Sequence, residues 1–413
     1  MSGPRSCVLC FAHADIRRFA GGLAKYIHEE SAMLEARGME TVTVFPLHLR
    51  QFPRLQPWAS RGWGVCRNGC WEGIWTWKGL LHLLGRWERE GSRLAEIQLH
   101  HIGGYCREDL RAFLSAVPSP VRLFVHDFHT VCRSPHLMRD GKMPCGITGV
   151  ERAKCAGCPH WDEGLVPGMR ELLAGLEGRL RVTAPSEIAA EIWGATHPSQ
   201  RNVLEVVPHW VASEWGCGVP GRRDGPLRLA FAGSPELHKG WAVWEKTVAA
   251  LRAGGNYEFL YFGGDAPLPD GVRGIRVDGE MRDALEREGA DLLFLWSLCA
   301  ETYSYVYYEA LQAGTWVLAR EGSGNVAMAA KNEGWGTVFP DEAAALEFLG
   351  DVKRVRETLA SAAKKRRPTK MVPNPRIADS LGEGRVWNLP AGKGGRSWTR
   401  EILWKLKERT GHV

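Results

Sequence analysis

Two spacings of hydrophobic positions alternate along this chain. Apolar runs of strand length occur at 7–12, 41–45, 96–101, 121–125, 180–184, 227–232, 258–262, 274–277, 292–295, 316–319 and 337–339. Between them, 24–37, 107–117, 188–193, 241–252, 282–288 and 341–349 read as helices. The first of these stops at Gly38, a suitable C-cap. Strand alternating with helix predicts an α/β chain of βαβ units, which bind ligands at the carboxyl ends of parallel strands.

The stretch 293–319, LFLWSLCAETYSYVYYEALQAGTWVLA, concentrates the candidate chemistry. Its spacing predicts a strand, a helix opened by Glu301 and carrying Glu309 in its second turn, and a second strand after Gly314. Eight helical residues would separate the two carboxylates by about 12 Å along the axis, at about 1.5 Å per residue. The N–H groups of Thr302, Tyr303, Ser304 and Tyr305 would sit at the helix N-terminus, where an anion is favoured. A nucleotide sugar has a comparable span, with one glutamate at the sugar, the other at the ribose and the diphosphate over the amides. The plainer reading is an amphipathic helix with two surface glutamates.

Three further positions belong with this unit. Gly21-Gly22 lies between the first strand and helix, where glycine lets backbone approach a phosphate, although the full G-x-G-x-x-G pattern is missing. His126-Asp127 closes the strand at 121–125 and so faces the ligand side of such a sheet. His100, His101 and His129 compete with His126 for that role, and a core histidine is the bland alternative. Lys239-Gly240 precedes the helix at 241–252, after the strand that ends before Gly233.

Gly21-Gly22, His126-Asp127, Lys239-Gly240, Glu301-x7-Glu309 and Ala313-Gly314-Thr315, in this order, resemble the motifs of retaining GT-B glycosyltransferases of family 4. The resemblance covers about residues 7–350. It implies two Rossmann-like domains facing across a cleft and a reaction that needs no catalytic metal. It implies that Lys239 neutralises the departing diphosphate, with Gly21, Gly22, Gly233, Ser234 and the amides near Thr302 around it. By the same resemblance Glu301 holds the donor sugar, Glu309 the ribose hydroxyls, and His126 the sugar from the opposite domain, with Met281 near the base. Many members carry Arg directly after the first glycine where this chain has Ser234, so His238 or an arginine from elsewhere would have to supply that charge.

Two stretches of the first half stand apart. Residues 58–98 hold Trp58, Trp63, Trp71, Trp75, Trp77 and Trp87, which suit either sugar stacking in an acceptor site or packing. Cys66 and Cys70 lie among them at a spacing open to metal ligation. Residues 132–160 hold Cys132, Cys145, Cys155 and Cys158 in a loop poor in apolar residues, the ligand number of a structural tetrahedral zinc site. Some bacterial polysaccharide transferases carry a similar insertion. Four free thiols or an iron–sulfur cluster are the alternatives.

At 413 residues, 44% hydrophobic and 24% charged, the chain has the composition of a two-domain globular protein. No stretch has the length of a membrane span, and the N-terminus lacks a signal-peptide layout, so a cytoplasmic protein is expected. The net charge of +6 is uneven: 353–413 carries 16 Lys/Arg against 5 Asp/Glu, leaving the remainder near −5. This basic tail, with a helical face at Trp398, Ile402 or Leu403, and Leu406, suits docking on the N-terminal domain or an anionic membrane, with a solvated tail as the bland alternative; nucleic acid rests on the tail alone. The expected organisation is an N-terminal domain at 1–211, a linker at 212–226, a nucleotide-sugar domain at 227–352 and the basic tail. The expected activity is transfer of a sugar, with retention, from a nucleotide diphosphate donor to a glycan or lipid-linked acceptor. A GT-B sugar-nucleotide epimerase and a non-catalytic glycan-binding protein are the alternatives.

Overall fold

In the computed structural model, which describes residues 5–18, 21–47, 61–146, 155–217 and 225–390, the apolar runs become two parallel sheets. The first half places β1 (Arg5–Phe11), α1 (Gly22–Ala36), β2 (Glu40–Pro46), β3 (Trp63–Arg67), β4 (Cys70–Trp75), α2 (Trp77–Arg89), β5 (Ser92–Leu99), α3 (Arg107–Ala116) and β6 (Val121–Phe124). A short hairpin of β7 (Met138–Arg139) and β8 (Met143–Pro144) follows, then α4 (Leu165–Ala174), β9 (Leu180–Ala184), α5 (Glu187–Thr196) and β10 (Leu204–Val206). The sheet order is β10-β9-β6-β5-β1-β2-β3-β4, parallel except for the antiparallel β2–β3 and β3–β4 pairs.

A ribbon strand, β11 (Trp210–Cys217), leads to the second half. There lie β12 (Leu227–Ala232), α6 (Trp241–Leu251), β13 (Tyr257–Phe262), β14 (Val272–Ile275), α7 (Met281–Glu288), β15 (Leu292–Leu295), α8 (Tyr305–Ala313), β16 (Trp316–Arg320), α9 (Asn325–Asn332), β17 (Gly336–Phe339) and α10 (Glu342–Gly350). The sheet order β14-β13-β12-β15-β16-β17 is parallel throughout. Strands covered on both faces read as unbroken apolar runs, as the fully buried Leu292–Leu295 does. The order reverses beside β1 in one sheet and between β12 and β15 in the other. At such switch points the loops part and leave a crevice. This is the two-Rossmann-domain GT-B architecture expected from the sequence.

Three expectations need correction. Residues 353–379 are not a solvated tail: they form α11 (Val352–Ala362), β18 (Arg366–Pro373) and α12 (Arg376–Asp379). Val355 and Ala362 enter the second core, because α11 carries apolar residues on one face only. The expected linker at 212–226 begins as β11, which pairs antiparallel with β18. The chain then returns to the first domain, where the Gly384 N–H donates to Ser6 Oγ (2.9 Å) and Trp387 Nε1 to the Leu94 carbonyl (3.0 Å). The Trp-rich stretch is no insert either, since it supplies an edge hairpin, α2 and the interior strand β5. Trp63 is fully buried edge-on to Phe11 and Trp87 is buried, so packing claims these rings, while Trp71 stays exposed. Cys66 is buried and Cys70 exposed on the same hairpin.

Trp58 and the expected terminal helix with Trp398, Leu403 and Leu406 lie outside the described residues. Among those described, no helix is long and apolar enough to cross a membrane.

Candidate active site

The carboxyl ends of the parallel strands converge on a cavity of about 480 Å³ between the two sheets. His13 reaches it past β1, His101 past β5, and His126, Asp127 and Phe128 past β6. Lys239 arrives from the loop after β12, and Cys299 to Tyr303 from the loop after β15. Gly21 and Gly22 stand opposite at the start of α1, where a Cβ on Gly22 would lie 3.6 Å from the Tyr305 ring. Of the sequence candidates, Gly21, Gly22, His126, Lys239, Glu301, Thr302, Tyr303 and Tyr305 line this space. His13, His101, Pro135, His136, His209 and Cys299 line it too. His101 already competes with His126 in the sequence; the others sit in loops without a periodic signal, where a histidine just past a strand is the cue available.

Helix α8 does not begin at Glu301. Ser304 caps it, accepting from the Tyr307 N–H at 3.3 Å, so Glu301 lies four residues ahead of the first helical residue. Glu301 instead pairs with Gly324 in an isolated bridge, its carbonyl accepting from the Asn325 N–H (2.8 Å). Gly324 has φ +65, and a Cβ there would come within 2.5 Å of the Glu301 backbone. Glu301 is therefore not helical and the 12 Å helical spacing between the carboxylates does not apply, while the Ser304 hydroxyl is committed to its cap. Thr302 is also committed: its Oγ1 donates to the His126 carbonyl (2.5 Å), while its own carbonyl accepts from Ser186 Oγ (2.7 Å). Both bonds cross from one domain to the other.

Glu301 and Lys239 form the charged centre. Lys239 Nζ lies 2.6 Å from Glu301 Oε1, which also accepts from Ser297 Oγ at 2.6 Å. Burial pushes the Glu301 carboxyl up, yet the lysine charge and these hydrogen bonds outweigh it and hold the group below its ordinary range. Burial likewise disfavours the Lys239 ammonium, and Glu301 more than restores it. Gly240 behind the lysine has φ 84, and a Cβ would meet the Trp296 carbonyl at 2.2 Å. The close Lys-Gly turn thus needs glycine. Gly233 ends β12 and Ser234 is exposed; neither lines the cavity. His238 stacks on His136 across the cleft at 4.2 Å, and burial lowers it to about 4, so it brings no positive charge at neutral pH.

Glu309 lies deeper on α8, 5% exposed, and holds Lys25 of α1 at 3.0 Å. Lys25 also pairs with Glu280 at 2.7 Å and lies over the Trp210 ring at 4.7 Å. Met281, next to Glu280, opens α7 and packs on the second core. Burial raises the Glu309 carboxyl, with Lys25 pulling the other way.

His126 and His209 are neutral. Burial, then His209 and His100, push His126 well below its ordinary value, and burial lowers His209 to about 3. His101, Asp127 and His129 have ligand atoms within 4.8 Å of one another. The Gly103 N–H points at His101 Nδ1 (3.0 Å) and the Ile102 N–H at His129 Nε2 (3.3 Å), which fixes the lone pairs there. Each ring then turns its N–H toward Asp127, at 3.4 Å and 2.7 Å. That is a carboxylate receiving two donors, not three lone pairs facing a cation.

The four cysteines of the 132–160 region lie on three neighbouring segments. Cys132 and Cys145 pack against the first core, the Cys158 N–H reaches the Cys155 carbonyl at 3.0 Å, and each thiol of the first pair senses the charge of Cys155 and Cys158. Burial raises Cys132, and raises Cys145 to about 11.

Comparison with solved structures returns the same two-domain fold. A glycosyltransferase from Rickettsia africae superposes with a TM-score of 0.55 at 10% identity, covering 99% of this chain and 100% of its own. Sucrose-phosphate synthase from Thermosynechococcus elongatus gives 0.53 at 15% identity, covering 87% and 95%. HepE from Anabaena, solved with UDP and glucose, gives 0.50 at 11% identity, covering 86% and 93%. No family model matches the sequence, and no curated protein matches it.

Proposed function

We propose that this protein is a glycosyltransferase that moves a sugar, with retention, from a nucleotide diphosphate donor to a glycan or lipid-linked hydroxyl. The observation that carries the reading is the Lys239–Glu301 pair, at 2.6 Å, inside an interdomain cavity with glycine-framed backbone and a neutral histidine opposite. Its fold neighbour HepE was solved with UDP and glucose, which supports the same class of donor here. Lys239 and the Gly21-Gly22 backbone would offset charge growing on the leaving diphosphate. Glu301 would hold sugar hydroxyls and favour the positively charged ring, and His126 would meet the sugar from the other domain. Glu309 would accept the ribose hydroxyls after exchanging its bond with Lys25. Transfer would take place in the cytoplasm, with the basic stretch at 391–413 as a contact to an anionic membrane face. Thermal shift with a panel of nucleotide diphosphates tests this reading. One nucleotide series should stabilise the protein and lose that effect in Glu309→Ala; no shift with any of them overturns it.

Zinc is proposed for Cys132, Cys145, Cys155 and Cys158. What supports the reading is the donor chemistry: four thiols drawn from three nearby segments, with burial raising Cys132 and Cys145 so that a cation would be needed to hold those two as thiolates. Bound zinc would tie the insert together and leave no open position for catalysis. Elemental analysis should find one zinc per chain, and Cys155→Ala with Cys158→Ala should abolish it and lower Tm.

A further inference from the structure

Behind His126 a file of polar side chains runs into the first domain. His126 Nε2 lies 3.1 Å from His100 Nδ1, and His100 Nε2 lies 3.1 Å from Gln98 Oε1. The Gln98 amide nitrogen faces Glu30 Oε1 at 2.9 Å and Glu96 Oε1 at 3.3 Å. Gln98, His100 and Glu30 are buried, and none of the three lines the cavity. Phe124 stacks on both rings, 4.4 Å from His100 and 5.4 Å from His126, so neither is free to turn.

Hydrogen-bond polarity can be followed from the inner end. Burial pushes Glu30 up to about 8, and it meets Gln98 through Oε1, with its Oε2 3.4 Å from His100 Nε2. Glu96 is ion-paired with Arg122 and its carboxylate accepts, so it demands the NH2 side of Gln98 and leaves the Gln98 carbonyl facing His100. That carbonyl also accepts the Cys10 thiol at 3.3 Å. Reversal would turn the carbonyl onto Glu96, whose carboxylate is ion-paired with Arg122 at 3.0 Å. A neutral imidazole has one N–H, so His100 carries it on Nε2 and accepts on Nδ1. His126 must then carry its proton on Nε2 and keep its lone pair on Nδ1.

We propose that Gln98, oriented by Glu96, acts with His100 as a set of positioning residues that lock His126 in the Nε2–H tautomer. His126 then meets the donor as an acceptor, selecting a sugar that offers a hydroxyl at that contact. This deepens the reading of the cleft as a sugar-transfer site and rests on it for the hydroxyl, but the tautomer itself does not depend on any donor.

The test is imidazole 15N NMR of the full chain labelled at histidine, with the His126 signals assigned by their loss in His126→Gln. Wild type should show His126 Nε2 protonated and Nδ1 bare. His100→Phe removes the acceptor and should give a mixture of tautomers, with kcat falling about tenfold and the affinity for the nucleotide diphosphate unchanged. His100→Asn places an oxygen where Nδ1 stood and should restore both the tautomer and most of kcat. An Nδ1–H tautomer in wild type overturns the proposal even if His100→Phe fails to fold, and so does an unchanged tautomer in a folded His100→Phe. If no nucleotide diphosphate binds, the transferase reading falls while the tautomer assignment is still decided by the spectrum.

Discussion

Glu301 is where opposing residue-scale effects are best weighed. Burial alone would neutralise it, but Lys239 at 2.6 Å and the Ser297 hydroxyl reverse that. A folded value below the unfolded one of about 4.5 means the carboxylate stabilises the protein above that pH and ceases to as pH falls through the folded value. The lysine, raised above its usual 10.5, contributes below that pH and loses its contribution only above its folded value. The stability gap between wild type and Glu301→Gln, from urea titrations, should therefore be flat between about pH 5 and pH 10 and shrink below about pH 4. Activity should respond more sharply. Glu301→Gln removes a charge aimed at the reacting sugar, so kcat should fall about 10²–10³-fold with donor binding little changed. A fall below about threefold would assign Glu301 to structure alone.

On the scale of elements, the β15–α8 unit shows why spacing misled. Strand β15 and the start of β16 stand where the apolar runs placed them, because covered parallel strands must be continuously apolar. The helix start moved from Glu301 to Tyr305, since Ser304 offers a local cap and the Glu301 backbone finds partners at Ser323 and Asn325. Those partners are some twenty residues on and leave no local signal. The bridge that holds Glu301 depends on Gly324. Gly324→Ala adds a Cβ at positive φ and within 2.5 Å of the Glu301 backbone. It should destabilise by about 1–3 kcal/mol and lower kcat, through displacement of the Glu301 carboxylate. Urea unfolding read beside steady-state kinetics checks this: lost stability with full kcat would separate the bridge from the chemistry.

Across the whole molecule, Lys25 joins the domains. It reaches from α1 to Glu309 and Glu280, and it stands over Trp210 and Tyr305. Lys25→Met removes these contacts and leaves Glu309 buried without its partner, a loss on the order of 1–3 kcal/mol for the closed arrangement. The ligand-free radius of gyration in small-angle scattering should rise. An unchanged radius would mean that the bonds at Thr302 suffice to hold the domains together.

The sequence by itself determined most of the parallel strands, the helices that directly connect them in the second domain, the two-domain plan and a set of cleft residues that includes His126, Lys239 and Glu301. These follow from local rules: apolar runs must be covered, helices need one apolar face, and strand ends carry the groups that meet ligands. It misread residues whose partners are distant. The Trp-rich stretch became sheet and core because β3 found β2; 366–373 became a strand because β11 was there to pair with it. The meeting of Gln98 with Glu30, and of Lys25 with Glu309, joins residues far apart in sequence. Only the tertiary structure brought them within hydrogen-bond range, because pairing between distant segments leaves no period in the chain to read.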